Sequence, residues 1–151
     1  MLEIKHKTLV DFDQLAGLFE SVGFNRLGER SRDAIPSLLK NTDHYIACYV
    51  DGELSGFIRL LTDYYSIGYI FDLCVAPEHR KKGIGKRLMQ EMITFCDSRD
   101  ISVTHLLDTS QYENYYSQYG FNSEQGIKGM YRINPSYLKE KNERHEKSLI
   151  A

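Results

Sequence analysis

The stretch Arg80-Lys81-Lys82-Gly83-Ile84-Gly85 lies between an apolar run, Tyr69 to Val75, and an amphipathic run, Ile84 to Arg99. The first run is predicted to be a strand and the second a helix, so the basic stretch joins a strand to a helix. Its glycines allow a close approach of the backbone to a ligand, and the first helical turn offers unpaired N–H groups. With three cations nearby, the pattern predicts a binding loop for an anion such as a diphosphate, although each cation also fits a solvated surface position.

Two common phosphate-binding loops make spacing demands that this stretch does not meet. A P-loop continues from its second glycine with Lys and then Ser or Thr, whereas Gly85 and Lys86 are followed by Arg87. The dinucleotide-binding fingerprint needs a third glycine where Leu88 stands. An unrelated nucleotide-binding fold is therefore disfavoured.

Two blocks of the sequence resemble the GCN5-related N-acetyltransferase (GNAT) superfamily. The loop and its flanks resemble that family's acetyl-CoA loop, V-x-P-x-x-R-x-x-G-x-G, between a strand and a helix. A second block downstream, Tyr115 to Phe121, resembles the family's aromatic-Tyr-x-x-x-Gly-Phe segment. The resemblance covers roughly Tyr45 to Ile133, and the loop residues that match are Val75, Pro77, Arg80, Gly83 and Gly85.

The resemblance implies an α/β (α+β) fold, in which a mixed, mostly antiparallel sheet splits at a V-shaped opening and is flanked by helices. Acetyl-CoA would lie in that opening, and the strand before the loop would pair with the pantetheine arm through free backbone groups. The alternatives are a continuous strand ladder and a plain helix-start turn. The cofactor-binding residues implied are Leu73, Cys74, Val75, Arg80, Lys81, Lys82, Gly83, Ile84, Gly85 and Lys86.

The same resemblance assigns a catalytic acid. Tyr116 matches the tyrosine that protonates the departing CoA thiolate, whereas Tyr115 and Tyr119 are expected to pack in the core. The family often has an Asn that contacts the cofactor seven residues before this tyrosine, and Thr109 occupies that position here. We expect the contact to come from Thr109 or from Asn114.

A base is also needed, because an alkylammonium has a pKa of about 10.4 and must lose a proton before it attacks a thioester. Asp72 lies in an apolar strand directly before the residues expected to bind pantetheine, where desolvation favours accepting a proton. A solvent-facing or structurally paired carboxylate explains Asp72 equally well. Asp63, Asp108 and His105 are further candidates.

The composition predicts one domain. The chain has 151 residues, 42% of them hydrophobic, which is enough for a full core. We expect an acetyltransferase domain over residues 1–135 and a charged tail over 136–151, either frayed or a surface helix. The formal net charge of −2 gives no electrostatic reason to expect a nucleic acid or a membrane as partner. A homodimer is compatible with the sequence.

The cysteines and histidines predict neither a disulfide framework nor a metal site. Cys48, Cys74 and Cys96 lie in apolar surroundings without CxxC spacing, which is typical of structural thiols in a reducing cytosol. The isolated histidines lack ligand spacing, so no metal is expected. Without an apolar run of about 20 residues, the chain is expected to be a soluble cytoplasmic protein.

The remaining patterns predict the other elements. Asp51-Gly52 is a strong signal for a two-residue hairpin turn between strands. Asp11 is a plausible N-cap for a helix that ends near Gly23. Further strands are predicted at Leu2 to His6, Tyr45 to Val50, Leu54 to Thr62, Val103 to Leu107 and Met130 to Ile133. Further helices are predicted at about Arg30 to Asn41, interrupted or begun afresh around Pro36, and at Tyr112 to Tyr119.

Together these features predict an enzyme that transfers an acetyl group from acetyl-CoA to a primary amine by direct attack, without a metal. The acceptor would be a small molecule or a peptide. The alternative function is a non-catalytic acyl-CoA sensor or a partner-binding module that kept the loop and lost the chemistry.

Overall fold

The computed structural model describes residues 1–108, 113–123, 129–130 and 132–136. One strand and two helices come first, followed by three consecutive strands. The elements in these ranges are β1 (Leu2–His6), α1 (Phe12–Ser21), α2 (Ile35–Lys40), β2 (His44–Val50), β3 (Glu53–Thr62), β4 (Ile67–Val75), α3 (Ile84–Ser98), β5 (Val103–Leu106) and α4 (Glu113–Ser117).

The strands form one sheet in the order β1-β2-β3-β4-β5. The pairings from β1 to β4 are antiparallel, whereas β4 and β5 run parallel. The prediction of a mixed, mostly antiparallel sheet flanked by helices is confirmed. None of the helices in the described ranges has both the length and the apolar content that a bilayer span requires.

The sheet opens between β4 and β5. Their parallel pairing begins at Ile67 with Val103 and ends at Ile70 with Leu106. From Phe71 to Val75, β4 continues without a β5 partner among the described residues. This stretch of backbone lies directly before the loop to α3, as the resemblance implied.

Two apolar clusters cover the two faces of the sheet. On one face α1 and α2 pack on the sheet, and the buried residues include Leu15, Phe19, Ile35, Phe57 and Cys74. On the other face α3 packs on the sheet, and the buried residues include Ile46, Ile58, Ile84, Leu88 and Met92. A short loop joins β4 to α3, and the packing of α3 on the sheet fixes the position of the helix N-terminus.

Local sequence signals explain several boundaries. Asp11 caps α1, since its carboxylate accepts a hydrogen bond from the Gln14 N–H at 2.9 Å. Asp51 and Gly52 have φ angles of 49° and 84°, as a tight hairpin turn between β2 and β3 requires. Both predictions are confirmed.

Two predicted elements need comment. The helix expected over about Arg30 to Asn41 begins at Ile35, which agrees with the fresh start predicted around Pro36, because Pro36 has no N–H and fits in a first helical turn. Of the strand expected over Met130 to Ile133, residues 130, 132 and 133 are described and do not form a strand. Met130 is 91% exposed, unlike an apolar residue of a buried strand.

Some predictions fall on residues that the structure does not describe. Thr109 and Tyr112 lie outside the described ranges, as does the tail beyond residue 136. The boundary between the domain and its tail therefore stays a prediction.

Candidate active site

The loop from β4 to α3 includes a backbone conformation that glycine adopts more easily than other residues. A short 3-10 turn over Pro77–His79 follows β4. Gly83 then adopts a left-handed conformation with a φ of 81°, as the residue that caps α3. No side-chain hydrogen bond caps this helix. The N–H groups of the first turn therefore remain available to an anion.

A cavity lies against this helix N-terminus. Its walls come from the end of β4, from the loop, from the first turn of α3 and from α4. The lining residues are Val75, His79, Arg80, Lys81, Gly83, Ile84, Gly85, Lys86 and Tyr115. The structure thus brings together most of the loop residues that the sequence predicted.

The remaining predicted cofactor residues lie beside this cavity rather than in its wall. The Lys82 ammonium group lies 3.4 Å from the His79 ring nitrogen Nδ1. Leu73 and Cys74 lie further back along β4, in the part that has no β5 partner among the described residues. Asn114 is exposed on α4 and does not line the cavity.

The space in the cavity depends on Gly85. A Cβ atom at this position would lie 3.3 Å from the Tyr115 hydroxyl and 3.7 Å from Val75 Cγ2. A larger side chain would therefore fill the space between the helix N-terminus and α4. A plain helix-start turn would make no such demand, so this contact favours a ligand site.

The tyrosines in and just after α4 differ from the prediction in which of them lines the cavity. Tyr115, which was expected to pack in the core, lines the cavity. The Tyr115 and Tyr119 hydroxyls lie 3.3 Å apart, within hydrogen-bond distance, and burial raises the pKa of Tyr115. The Tyr116 ring packs edge-on against Tyr115 and Phe121, with centroids 5.2 and 6.5 Å away. The role of Tyr116 as the acid therefore stays a prediction of the resemblance.

A β-bulge interrupts the pairing of β3 with β4. Phe57 pairs with Cys74 and Arg59 with Phe71, so Asp72 and Leu73 together face one residue, Ile58. Asp72 has a φ of 56°, which is unusual for a residue with a side chain. The extra residue turns consecutive side chains, those of Phe71 and Asp72, toward Arg59 on one face.

The bulge directs the Asp72 carboxylate into a buried ion pair with two arginines. Arg30 Nη2 donates to one carboxylate oxygen at 2.7 Å, and Arg59 Nε donates to the other at 2.5 Å. The Asp72 side chain is only 3% exposed. Burial alone would lower the pKa of Arg30, but the hydrogen bond and charge of Asp72 outweigh it and raise that pKa. The structure therefore favours the structural pairing of Asp72 over the role of a general base.

The other base candidates also differ in their surroundings. The Asp63 carboxylate accepts hydrogen bonds from the Ser66 hydroxyl and from backbone N–H groups of its own turn, which lower its pKa. Such a carboxylate is a weak base. His105 pairs in register with Tyr69 beside the last β4–β5 pair, and the two rings stack at 5.2 Å. His105 therefore lies next to the opening of the sheet.

Sequence reasoning missed Arg30, Arg59 and the position of Tyr115. Arg30 lies 42 positions before Asp72 in the chain, so no local pattern joins the two residues. Arg59 lies on a predicted strand. Its position between apolar residues was the one signal in the sequence that it has a buried partner. Within the described residues, no group of three or more His, Cys, Asp or Glu could hold a metal ion.

Comparison with known proteins gives a consistent result. The model of the acetyltransferase (GNAT) family matches residues 9–121. An uncharacterized N-acetyltransferase, ycf52, of Gracilaria tenuistipitata is 33% identical over 130 residues, which cover 85% of this chain and 71% of that protein. A histone acetyltransferase, TAP1, of Glycine max is 29% identical over 136 residues, which cover 81% of this chain.

This chain spans only part of some relatives. It covers 57% of the Glycine max protein and 31% of the chloroplastic GCN5-related N-acetyltransferase 2 of Arabidopsis thaliana, which is 34% identical over 80 residues, or 52% of this chain.

Solved structures share the fold. A probable acetyltransferase from meticillin-resistant Staphylococcus aureus superposes with a TM-score of 0.78 at 18% identity, over 89% of this chain and 100% of that chain. A GNAT family acetyltransferase from Streptococcus pneumoniae superposes with a TM-score of 0.74 at 25% identity, over 89% and 98% of the two chains.

Proposed function

The chain belongs to the acetyltransferase (GNAT) family, and from this premise we propose that it transfers an acetyl group from acetyl-CoA to a primary amine. The observation that carries the proposal is the cavity at the N-terminus of α3, where left-handed Gly83, the basic loop and the open edge of β4 meet. A diphosphate suits the helix N-terminus, and an extended pantetheine arm suits a strand edge.

Arg80, Lys81, Lys82 and Lys86 would hold the diphosphate together with the first-turn N–H groups of α3. Leu73, Cys74 and Val75 would pair with the pantetheine arm through their backbone. The charges of the loop and the N–H groups at a helix start both favour the same negative group. The binding end of the site therefore depends more on backbone and charge than on any single side chain.

In the chemical step, a backbone N–H near Val75 would polarise the thioester carbonyl while the amine attacks it directly. Tyr116 would give its phenolic proton to the departing thiolate. His105, beside the opening, is our candidate for accepting the proton from the amine, directly or through water. No covalent enzyme intermediate is needed.

The acceptor is proposed only as a class. A small-molecule amine and a peptide amine both belong in a first screen, and one similar protein is named a histone acetyltransferase. We propose neither a nucleic acid nor a membrane as partner, and a homodimer stays a prediction. The cytoplasmic location also stays a prediction, since relatives include proteins named as chloroplastic.

Thermal unfolding with saturating acetyl-CoA, free CoA and ATP in parallel tests the proposal. A ligand at about 100 times its Kd stabilises a protein by about 2.7 kcal/mol, which for a chain of this size raises Tm by roughly 5 to 10 °C. We expect both CoA compounds, but not ATP, to raise Tm. Release of free thiol with a panel of amines then tests turnover.

Each other outcome has a distinct meaning. Binding without turnover for any amine would support the acyl-CoA sensor instead of the enzyme. No shift with either CoA compound would overturn the assignment of the loop and the proposed reaction with it.

A further inference from the structure

The loop between α1 and α2 is built around Arg30. The Arg30 N–H donates to Asn25 Oδ1 at 2.8 Å, and Arg30 Nη1 donates to the Phe24 carbonyl at 2.9 Å and to Glu29 Oε1 at 2.7 Å. The guanidinium group also lies over the Phe24 ring, 5.7 Å from its centroid. The other terminal nitrogen, Nη2, donates to Asp72 in the bulge of β4. The loop and the bulge are thus joined by one side chain.

Asp72 is held from a second direction as well. Arg59 Nε donates to its other oxygen, and Arg59 Nη1 lies 3.5 Å from the Thr42 hydroxyl, just after α2. The Thr42 hydroxyl in turn donates to the Leu38 carbonyl in α2 at 2.6 Å. A residue in a left-handed conformation is therefore fixed by contacts to two different parts of the chain.

The pairing of Asp72 with Arg30 and Arg59 is better explained by the backbone geometry that it holds than by a gain in folding stability. Desolvation of buried charges offsets most of their attraction, so buried ion pairs are often no more stabilising than apolar residues of similar size. Arg30 Nε is also buried without a hydrogen-bond partner among the described residues, which costs further stability. Glycine would adopt the φ of Asp72 more easily, so the carboxylate is used for its contacts.

We propose that Arg30 is a positioning residue, which acts through Asp72 to hold the β4 bulge so that the edge of β4 from Phe71 to Val75, which has no β5 partner among the described residues, can receive the acyl-pantetheine arm. The inference rests on the proposed function for its ligand, since it deepens the account of the same site. It also links the loop between α1 and α2 to this edge of β4, so a change that removes the Arg30 contact alters acetyl-CoA binding without touching the loop from β4 to α3.

Two probes separate this role from a general effect on folding. Acetyl-CoA contains the pantetheine arm, whereas 3′-phosphoadenosine 5′-diphosphate carries the diphosphate without it. We expect Arg30→Gln to weaken acetyl-CoA binding by about tenfold, the equivalent of one lost hydrogen bond, and to leave the affinity for the fragment within about twofold. Isothermal titration calorimetry measures both affinities.

Matched variants locate the effect. Arg32 belongs to the same loop, and its exposed pair with Asp13 at 2.6 Å makes Arg32→Gln a control that should change neither affinity. Asp72→Gly keeps the left-handed backbone and removes the anchor, so it should weaken acetyl-CoA binding as Arg30→Gln does. The double variant should lose no more than Asp72→Gly alone, because that substitution already removes the contact between Arg30 and Asp72.

Hydrogen exchange in the ligand-free protein gives a readout that does not depend on any cofactor. Peptides covering residues 71–75 should exchange faster in Arg30→Gln than in the wild type or in Arg32→Gln. Unchanged exchange there, or an equal loss of affinity for both probes, would overturn the positioning role. If the wild type binds neither probe, the proposed function fails, and the exchange measurement still decides whether Arg30 holds the bulge.

Discussion

The loop from β4 to α3 and the Asp72 bulge lie close together along the chain, yet different kinds of contact determine their conformations. Gly83 turns the loop by its own backbone, and Arg80 Nε donates to the Val75 carbonyl only five positions away. Asp72 is held by partners 42 and 13 positions distant. Short-range contacts therefore determine the conformation of the loop from β4 to α3, whereas contacts between distant parts of the chain determine the bulge.

This difference predicts how substitutions act. A change in the loop should alter ligand binding or chemistry and leave most of the fold intact. A change at a tertiary contact should alter stability and the site together. The predictions below test or sharpen this contrast, beginning with the largest expected effect.

Tyr116→Phe should have the largest effect on turnover. Loss of a general acid lowers the rate by about 100-fold or more, whereas acetyl-CoA affinity should change less than about twofold. The measurement is kcat by thiol release, with Kd from titration. Tyr115→Phe is the matched control on the same short helix, and we expect it to cost turnover less than about tenfold. The reverse ranking would make Tyr115 the acid.

Gly83→Val should abolish the stabilisation by acetyl-CoA. A β-branched residue at a φ of 81° is strained, and its side chain would disturb the first-turn N–H groups. The Tm shift of roughly 5 to 10 °C expected for the wild type should disappear. Gly52→Val is the control, because Gly52 has a φ of 84° in the β2–β3 hairpin, away from the cavity. That variant should lose stability and keep the shift.

Gly56→Ala tests whether the loop from β4 to α3 depends only on its own residues or also on the packing of α3 against β3. A Cβ on this β3 residue would lie 2.9 Å from Ile84 Cγ2 and 3.0 Å from Leu88 Cδ1, so these side chains at the start of α3 must shift. We expect a loss of about 2 kcal/mol in the free energy of unfolding, and weaker acetyl-CoA binding. Chemical denaturation and titration measure the two effects.

Gly17→Ala should raise the stability of the fold, in contrast to Gly56→Ala. No atom lies within 4 Å of a Cβ at this position in α1, so alanine should stabilise the helix by about 0.5 to 1 kcal/mol. Acetyl-CoA affinity should not change. If Gly56→Ala lowered stability without weakening binding, the loop would depend on its own residues alone.

The sequence predicts the elements that local chemistry determines. The Asp51-Gly52 turn, the Asp11 cap and the strand-loop-helix unit around Gly83 all follow from short-range rules. Their signals lie within a few residues of the structure they produce, so one sequence is enough to find them. The family resemblance supplied the opening of the sheet, which no local rule predicts.

The site residues that sequence reasoning misjudged depend on long-range contacts. The sequence left Asp72 open as a base or as a paired carboxylate, because its partners Arg30 and Arg59 come from other parts of the chain. Tyr115 looked like a core residue, since only the approach of α4 to Gly85 brings it to the cavity. The bulge itself is a register shift, which a pattern of alternating residues does not reveal.

A second long-range network should carry part of the pH dependence of stability. His44 Nε2 lies 3.0 Å from His6 Nδ1, and the other nitrogen of His6 lies 2.9 Å from Glu91 Oε2 on α3. The His44 ring stacks on Phe95, with centroids 3.7 Å apart. Burial, aided by the nearby positive groups of His6, Lys7 and Arg99, lowers the pKa of His44 to about 4.

The sign of the pH effect follows from that lowered pKa. An unfolded histidine has a pKa of about 6.5, so between pH 6.5 and 4 the unfolded chain binds a proton that the folded His44 excludes. The contribution of His44 to stability is therefore complete above about pH 6.5 and falls as the pH falls. Between pH 7 and pH 5 the loss should be about 1 to 2 kcal/mol, measured by denaturation at each pH.

His44→Phe keeps a ring to stack on Phe95 and removes the titrating nitrogens, so it should flatten this slope. His79→Gln removes a histidine of the cofactor loop and retains His44, so the slope should persist. Equal slopes in the wild type and in His44→Phe would show that folding does not depend on a neutral His44. If the slope followed His79 instead, the loop would contribute to stability as the tertiary networks do, and the contrast between the two regions would fail.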